Sequence, residues 1–63
     1  MTISEIFRIL SPEQNIRIVQ YEYDGIEEFK MEVLPFNIPI YLMDVSIQEI
    51  SHSKDVLVIT LCN

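Results

Sequence analysis

With 63 residues, ten acidic side chains against four basic ones and a net charge of −6, the chain is short and strongly acidic. A domain of this length buries only about 60% of the surface its unfolded chain exposes, so it can build one small core. Its negative charge repels a phosphate backbone, which argues against direct nucleic-acid binding. Cys62 is the only cysteine and His52 the only histidine, too few for a disulfide framework or for a structural zinc site with its four donors.

The apolar fraction, 49%, is high for so small a chain, and part of it is expected to meet another copy or a partner. The longest uncharged stretch, residues 33–43, contains two prolines and is too short for a membrane-spanning helix. The start, Met1-Thr2-Ile3-Ser4-Glu5, is acidic where a secretory signal would be basic. A cytoplasmic protein is expected, without cofactor or membrane contact.

Thr2-Ile3-Ser4-Glu5 has the capping-box pattern, in which Thr and Glu satisfy each other's backbone N–H groups. Ile3, Ile6, Phe7 and Leu10 follow at i, i+3, i+4 and i+7, which predicts an amphipathic helix of about two turns with Glu5 and Arg8 outward. Pro12 keeps Ser11 out of the helical region, so the helix is expected to stop at Leu10 or Ser11. So short a helix needs a sheet to lie on.

From Asn15 the period changes to two. Ile16 and Ile18 share one face with Gln20 and Glu22, while Arg17, Val19, Tyr21 and Tyr23 share the other. Asp24-Gly25 predicts a two-residue hairpin turn, because such a turn needs positive φ and Gly25 supplies it. In the return strand, residues 26–33, Phe29, Met31 and Val33 alternate with Glu28, Lys30 and Glu32.

Pro35 and Pro39 bracket a stiff apolar connection, Phe36-Asn37-Ile38. Pro39 then opens a helical turn through Ile40, Tyr41, Leu42 and Met43, ending at Asp44 and carrying the chain across the sheet. Residues 45–51 read as a third strand, with Val45, Ile47 and Glu49 on one face and Ser46, Gln48 and Ile50 on the other. Residues 51–55 read as a polar turn. Residues 56–62, Val-Leu-Val-Ile-Thr-Leu-Cys, have no charge, Gly or Pro and are apolar on both faces, as an interior strand covered on both sides would be. The expected fold is α+β: a short N-terminal helix packed on a four-stranded, mainly antiparallel sheet made of two hairpins, in one αββββ domain over residues 1–63.

The order of these features resembles a group of small accessory proteins of Gram-positive phages, prophages and other mobile elements. The matching residues are Ile16 and Ile18, Asp24 and Gly25, Ile38 and Pro39, Leu42, Asp44, Val45 and Ile47, then Asp55, Leu57 and Ile59. The chain departs from that pattern in Pro35-Phe36-Asn37 before Ile38 and in the apolar Phe36 and Ile40, which could mark a specialised surface. The resemblance implies a phage or prophage accessory gene and brings no catalytic residue with it.

His52, between two serines, reads as a solvated turn residue, and Cys62, at the end of an apolar strand, as a packed or fraying thiol. Neither has the company a nucleophile or general base needs, and a domain this small has little room for a cleft, so no enzyme is expected. Glu22, Asp24, Glu27, Glu28 and Glu32 gather around the first hairpin. They form either a decoy that offers carboxylates where a nucleic-acid-binding protein expects phosphates, or a solvated edge that resists strand addition. Val19, Tyr21 and Tyr23 form an outward patch suited to a homodimer or a partner. Phe36, Ile38 and Ile40 form a second candidate surface, with capping of the core edge as its alternative.

Three functional readings follow. The first is a non-enzymatic protein-binding module that blocks a host defence system, in the manner of an anti-CRISPR protein, by occlusion or acidic mimicry. The second is a small self-assembling accessory protein without inhibitory role. The third is a sponge for a small signalling molecule, which Arg8, Arg17, Lys30 and Lys54 equip poorly to hold phosphate.

Overall fold

The computed structural model describes residues 1–21 and 27–62, without the side chains of Glu27 and Glu28. Helix α1 (Ile3–Ile6) runs into a 3-10 turn (Phe7–Ile9) and is followed by strands β1 (Asn15–Tyr21) and β2 (Glu27–Val33). Two more 3-10 turns (Pro35–Asn37 and Ile40–Leu42) lead to strands β3 (Ile47–Ser53) and β4 (Val56–Leu61). The strands form one sheet in the order β2-β1-β4-β3. It is the expected helix-and-two-hairpin architecture, with one feature that local patterning does not contain: the inner strands β1 and β4 pair in parallel. They do so because residues 34–46 run from one edge of the sheet to the opposite edge.

Register explains the core. Val33, Ile16 and Leu57 lie side by side across β2, β1 and β4; Met31, Ile18 and Ile59 form the next row, and Phe29, Gln20 and Leu61 the third. Ile3, Ile38 and Leu42 cover these rows, and Ile3, Ile16, Ile18 and Ile59 are fully buried. Each such side chain contributes about 1.5–3 kcal/mol by leaving water. Gln20, the polar member of the set, donates from Nε2 to the Cys62 carbonyl at 2.6 Å, which satisfies its amide and ties the ends of β1 and β4 together.

The N-terminal segment is fastened to the crossover. Thr2 and Glu5 form the expected capping box, with the Thr2 N–H donating to Glu5 Oε1 at 2.9 Å. The Ser4 N–H donates to the Met43 carbonyl at 3.0 Å, the Ile47 N–H to the Met1 carbonyl at 2.6 Å, and Thr2 bridges Ser46 in antiparallel fashion. The helix is shorter than its periodicity predicts. After one α-turn the chain tightens, and the Leu10 N–H bonds the Phe7 carbonyl three residues back. Tightening of this kind is common at helix ends; Ile6 and Leu10 still pack on the core, and Ile9, off that stripe, is exposed.

Strand β3 corrects the predicted boundaries and faces. It starts at Ile47 and continues through His52 to Ser53, so the polar turn shrinks to Lys54-Asp55, and Lys54 takes φ +55°. A bulge between Ile47 and Glu49 places Ile47 opposite Leu61 and Ile50 opposite Ile59. The extra residue resets the alternation, so Ile47 and Ile50 share the core face and Glu49 turns to the other side. Strand β4 is interior to the sheet, as expected. On its second face burial is uneven: Thr60 is buried beside Val19 of β1, whereas Val56 and Val58, toward the other end, are only half-buried.

Candidate protein-binding surface

The crossover builds its outer surface from two prolines. Pro35 and Pro39 lack N–H donors, so the segment closes in separate three-residue turns: Ile38 N–H to the Pro35 carbonyl, Leu42 N–H to the Pro39 carbonyl and Met43 N–H to the Ile40 carbonyl. A repeat near three places Pro35, Ile38 and Leu42 inward and leaves Phe36, Ile40 and Tyr41 outward. This corrects the grouping of Phe36, Ile38 and Ile40 as one surface: Ile38 takes the alternative role at the core, and the other two stay outside. Ile38 is a core residue at 7% exposure, whereas Phe36 is 76%, Tyr41 71% and Ile40 87% exposed.

Beside Phe36 the N-terminal segment completes an open groove of about 290 Å³ lined by Phe7, Arg8, Leu10, Pro12, Pro35 and Phe36. Phe7 and Phe36 meet edge to face, with ring centroids 5.9 Å apart and planes at 77°. Arg8 is the only charged residue in the lining. The groove suits an apolar side chain with a carboxylate beside it. A larger opening of about 460 Å³ lies at the end of the sheet between Asn15, Glu32, Val33, Leu34, Asn37 and Val56.

The other predicted site residues are dispersed. Of the acidic hairpin set, Glu22 and Asp24 lie outside the described residues, as do Tyr23 and Gly25, on which the predicted two-residue turn falls, and the side chains of Glu27 and Glu28 are likewise not described. Glu32 is described, and it stands opposite Arg17 in an ion pair of 2.6 Å on the sheet face away from the helix. Val19 and Tyr21 belong to that same face, but Val19, with Lys30 and Thr60 as its register neighbours, is only 3% exposed and offers little contact area; Tyr21 is partly exposed. His52 lies on β3 opposite Leu57, and Cys62 follows the far end of β4, about 16 Å along the strand from Leu57. The two soft ligands therefore do not meet.

Tyr41 and Ile9 are the most exposed of the apolar residues that sequence patterning did not single out, ahead of Met1 and Leu34. Tyr41 follows Ile40 directly, and only the separate 3-10 turn after Pro39 turns both outward; Ile9 lies off the stripe formed by Ile3, Ile6 and Leu10. No helix among the described residues is long and apolar enough to cross a membrane. A scan against protein-family models and searches of curated proteins and of solved structures find no match for the chain.

Proposed function

We propose that this chain is a non-enzymatic protein-binding module of a phage or mobile element that acts by covering a surface of its target, a host defence effector being the target class. The observation that supports the reading is the exposure of Phe36, Ile40 and Tyr41 within six consecutive residues, on a layer whose inward side chains already fill the core. Large apolar side chains held outward on proline-stiffened backbone lose little conformational freedom on binding, which is what an interface anchor requires. The acidic residues of the first hairpin supply long-range attraction to a basic target, and the apolar surface supplies the burial.

The test is co-purification with host proteins after nuclease treatment, using the wild-type chain, a Phe36→Ser/Tyr41→Ser variant and a Glu27→Lys/Glu28→Lys variant. One stoichiometric protein is expected with the wild type. The first variant should release it at every ionic strength, while the second should weaken capture most at low salt. Capture unchanged by both variants would overturn the proposal.

A further inference from the structure

Among the described residues, most of the sheet's perimeter is guarded and one stretch is not. The outer edge strand β2 carries exposed Lys30 and Glu32, charged side chains of the kind that discourage strand addition. At the other edge, the beginning of β3 is occupied by the N-terminal segment through the Thr2–Ser46 bridge and the Ile47 N–H to Met1 carbonyl bond. The rest of β3, from Ile50 to Ser53, has no partner on its outer side among the described residues and carries no Lys, Arg, Asp, Glu or Pro.

The register shows which backbone groups are free. Ser53 and Val56 flank a two-residue turn as a pair, and such a pair exchanges both of its hydrogen bonds. Alternation then directs the N–H and C=O of Ser51 and Ser53 toward β4 and those of Ile50 and His52 outward. The Cys62 N–H to Ser46 carbonyl bond at 2.9 Å keeps the same parity along β4, whose residues 56, 58, 60 and 62 all face β3.

We infer that the free edge of β3 pairs with β3 of a second copy, antiparallel about a two-fold axis through Ser51, to make one continuous sheet across a homodimer. Only this register pairs both outward residues of each strand with each other, Ile50 with His52 of the partner and the reverse. A two-fold at Ile50 would bring His52 against the bulge at Gln48, and one at His52 would bring Ile50 against the turn at Lys54. In the chosen register the half-exposed Ile50 is covered by the partner's His52 on the core face. Glu49 lies opposite Ser53 of the partner, with Lys54 of the partner next along the chain, so opposite charges approach and no like charges face each other. The partner must be another strand, because what the edge offers is a row of main-chain donors and acceptors. A second copy fits because its own edge presents the complementary set in the same spacing.

Sedimentation of the full chain across the micromolar range tests this with two variants. His52→Pro removes an N–H that points away from β4, so the hairpin should persist while the dimer is lost. Ser51→Cys in a Cys62→Ser background places two thiols on the axis, in a non-hydrogen-bonded pair with Cα atoms about 4.5 Å apart, a separation a disulfide accepts. It should cross-link about tenfold faster in a thiol–disulfide buffer than Ser53→Cys, whose two copies lie four positions out of register. A chain that stays monomeric throughout, or equal cross-linking by the two cysteine variants, would overturn the inference. So would a dimer that survives His52→Pro and falls apart on Tyr21→Asp, which would move the interface to the open sheet face.

Discussion

Phe7 and Phe36 join the N-terminal segment to the crossover by an edge-to-face contact, with ring centroids 5.9 Å apart. Phe7 is half-buried and Phe36 largely exposed, so the contact sits at the rim of the core rather than inside it. Phe36→Ala should therefore forfeit only the aromatic pair, about 0.5–1.5 kcal/mol in urea denaturation. Leu42→Ala, from the same connection but 5% exposed within the core cluster, should lose about 2–5 kcal/mol, enough to unfold much of a marginal domain. Equal losses would mean that the two residues share one environment.

The bulge in β3 predicts an unusual tolerance. Gln48 is the extra residue between Ile47, opposite Leu61, and Glu49, opposite Thr60. Deleting Gln48 leaves those two pairs adjacent and in regular alternation, with Ile47 and Ile50 still on the core face. The deletion should change stability by no more than about 1 kcal/mol and preserve the pattern of amide protection in β4. Deleting Ser51 instead should slip the register and expose Ile50 or Ile47, with loss of cooperative unfolding.

Lys54 holds a positive φ of 55° at the first position of the β3–β4 turn, where the backbone favours glycine. A side chain there costs about 1–2 kcal/mol, of which the greater freedom of glycine in the unfolded chain returns about half. Lys54→Gly should raise stability by about 0.5–1 kcal/mol in thermal or urea unfolding, and Lys54→Val should lower it, because a β-branched residue resists that conformation.

Arg17 and Glu32 face each other across β1 and β2, with Arg17 Nε donating to Glu32 Oε1 at 2.8 Å. Their side chains are 30% and 55% exposed, so solvent screens the pair. Glu32→Gln should destabilise by less than about 1 kcal/mol at low salt, and the difference should vanish near about 1 M salt, where the Debye length falls to about 3 Å. A loss that persisted in high salt would point to packing rather than charge.

The amino-acid order by itself determined the type and order of the elements, which rest on near neighbours, though not their ends. The capping box at Thr2 and Glu5, the alternation of Ile16 and Ile18 against Arg17 and Val19, and the apolar run at 56–62 each express a local preference for backbone conformation or for burying one face. They led to a helix, two hairpins and an interior strand. Where the helix lies, which strands touch and which apolar residues remain outside depend on segments far apart in the chain. Only the tertiary structure placed β1 parallel to β4, because the crossover had to traverse the core face and deliver β3 to the far edge. That traverse, broken into 3-10 turns by Pro35 and Pro39, turned Ile38 inward and Phe36, Ile40 and Tyr41 outward. The pairing of β3 with β4 likewise introduced the bulge that returned Ile50 to the core face, and the assembled sheet left Val19 buried where alternation alone had put it outward. Apolar character marks a residue as able to be buried, but the number of places in a two-layer core is set by the packing of the layers, and here Phe36, Ile40 and Tyr41 were left without one.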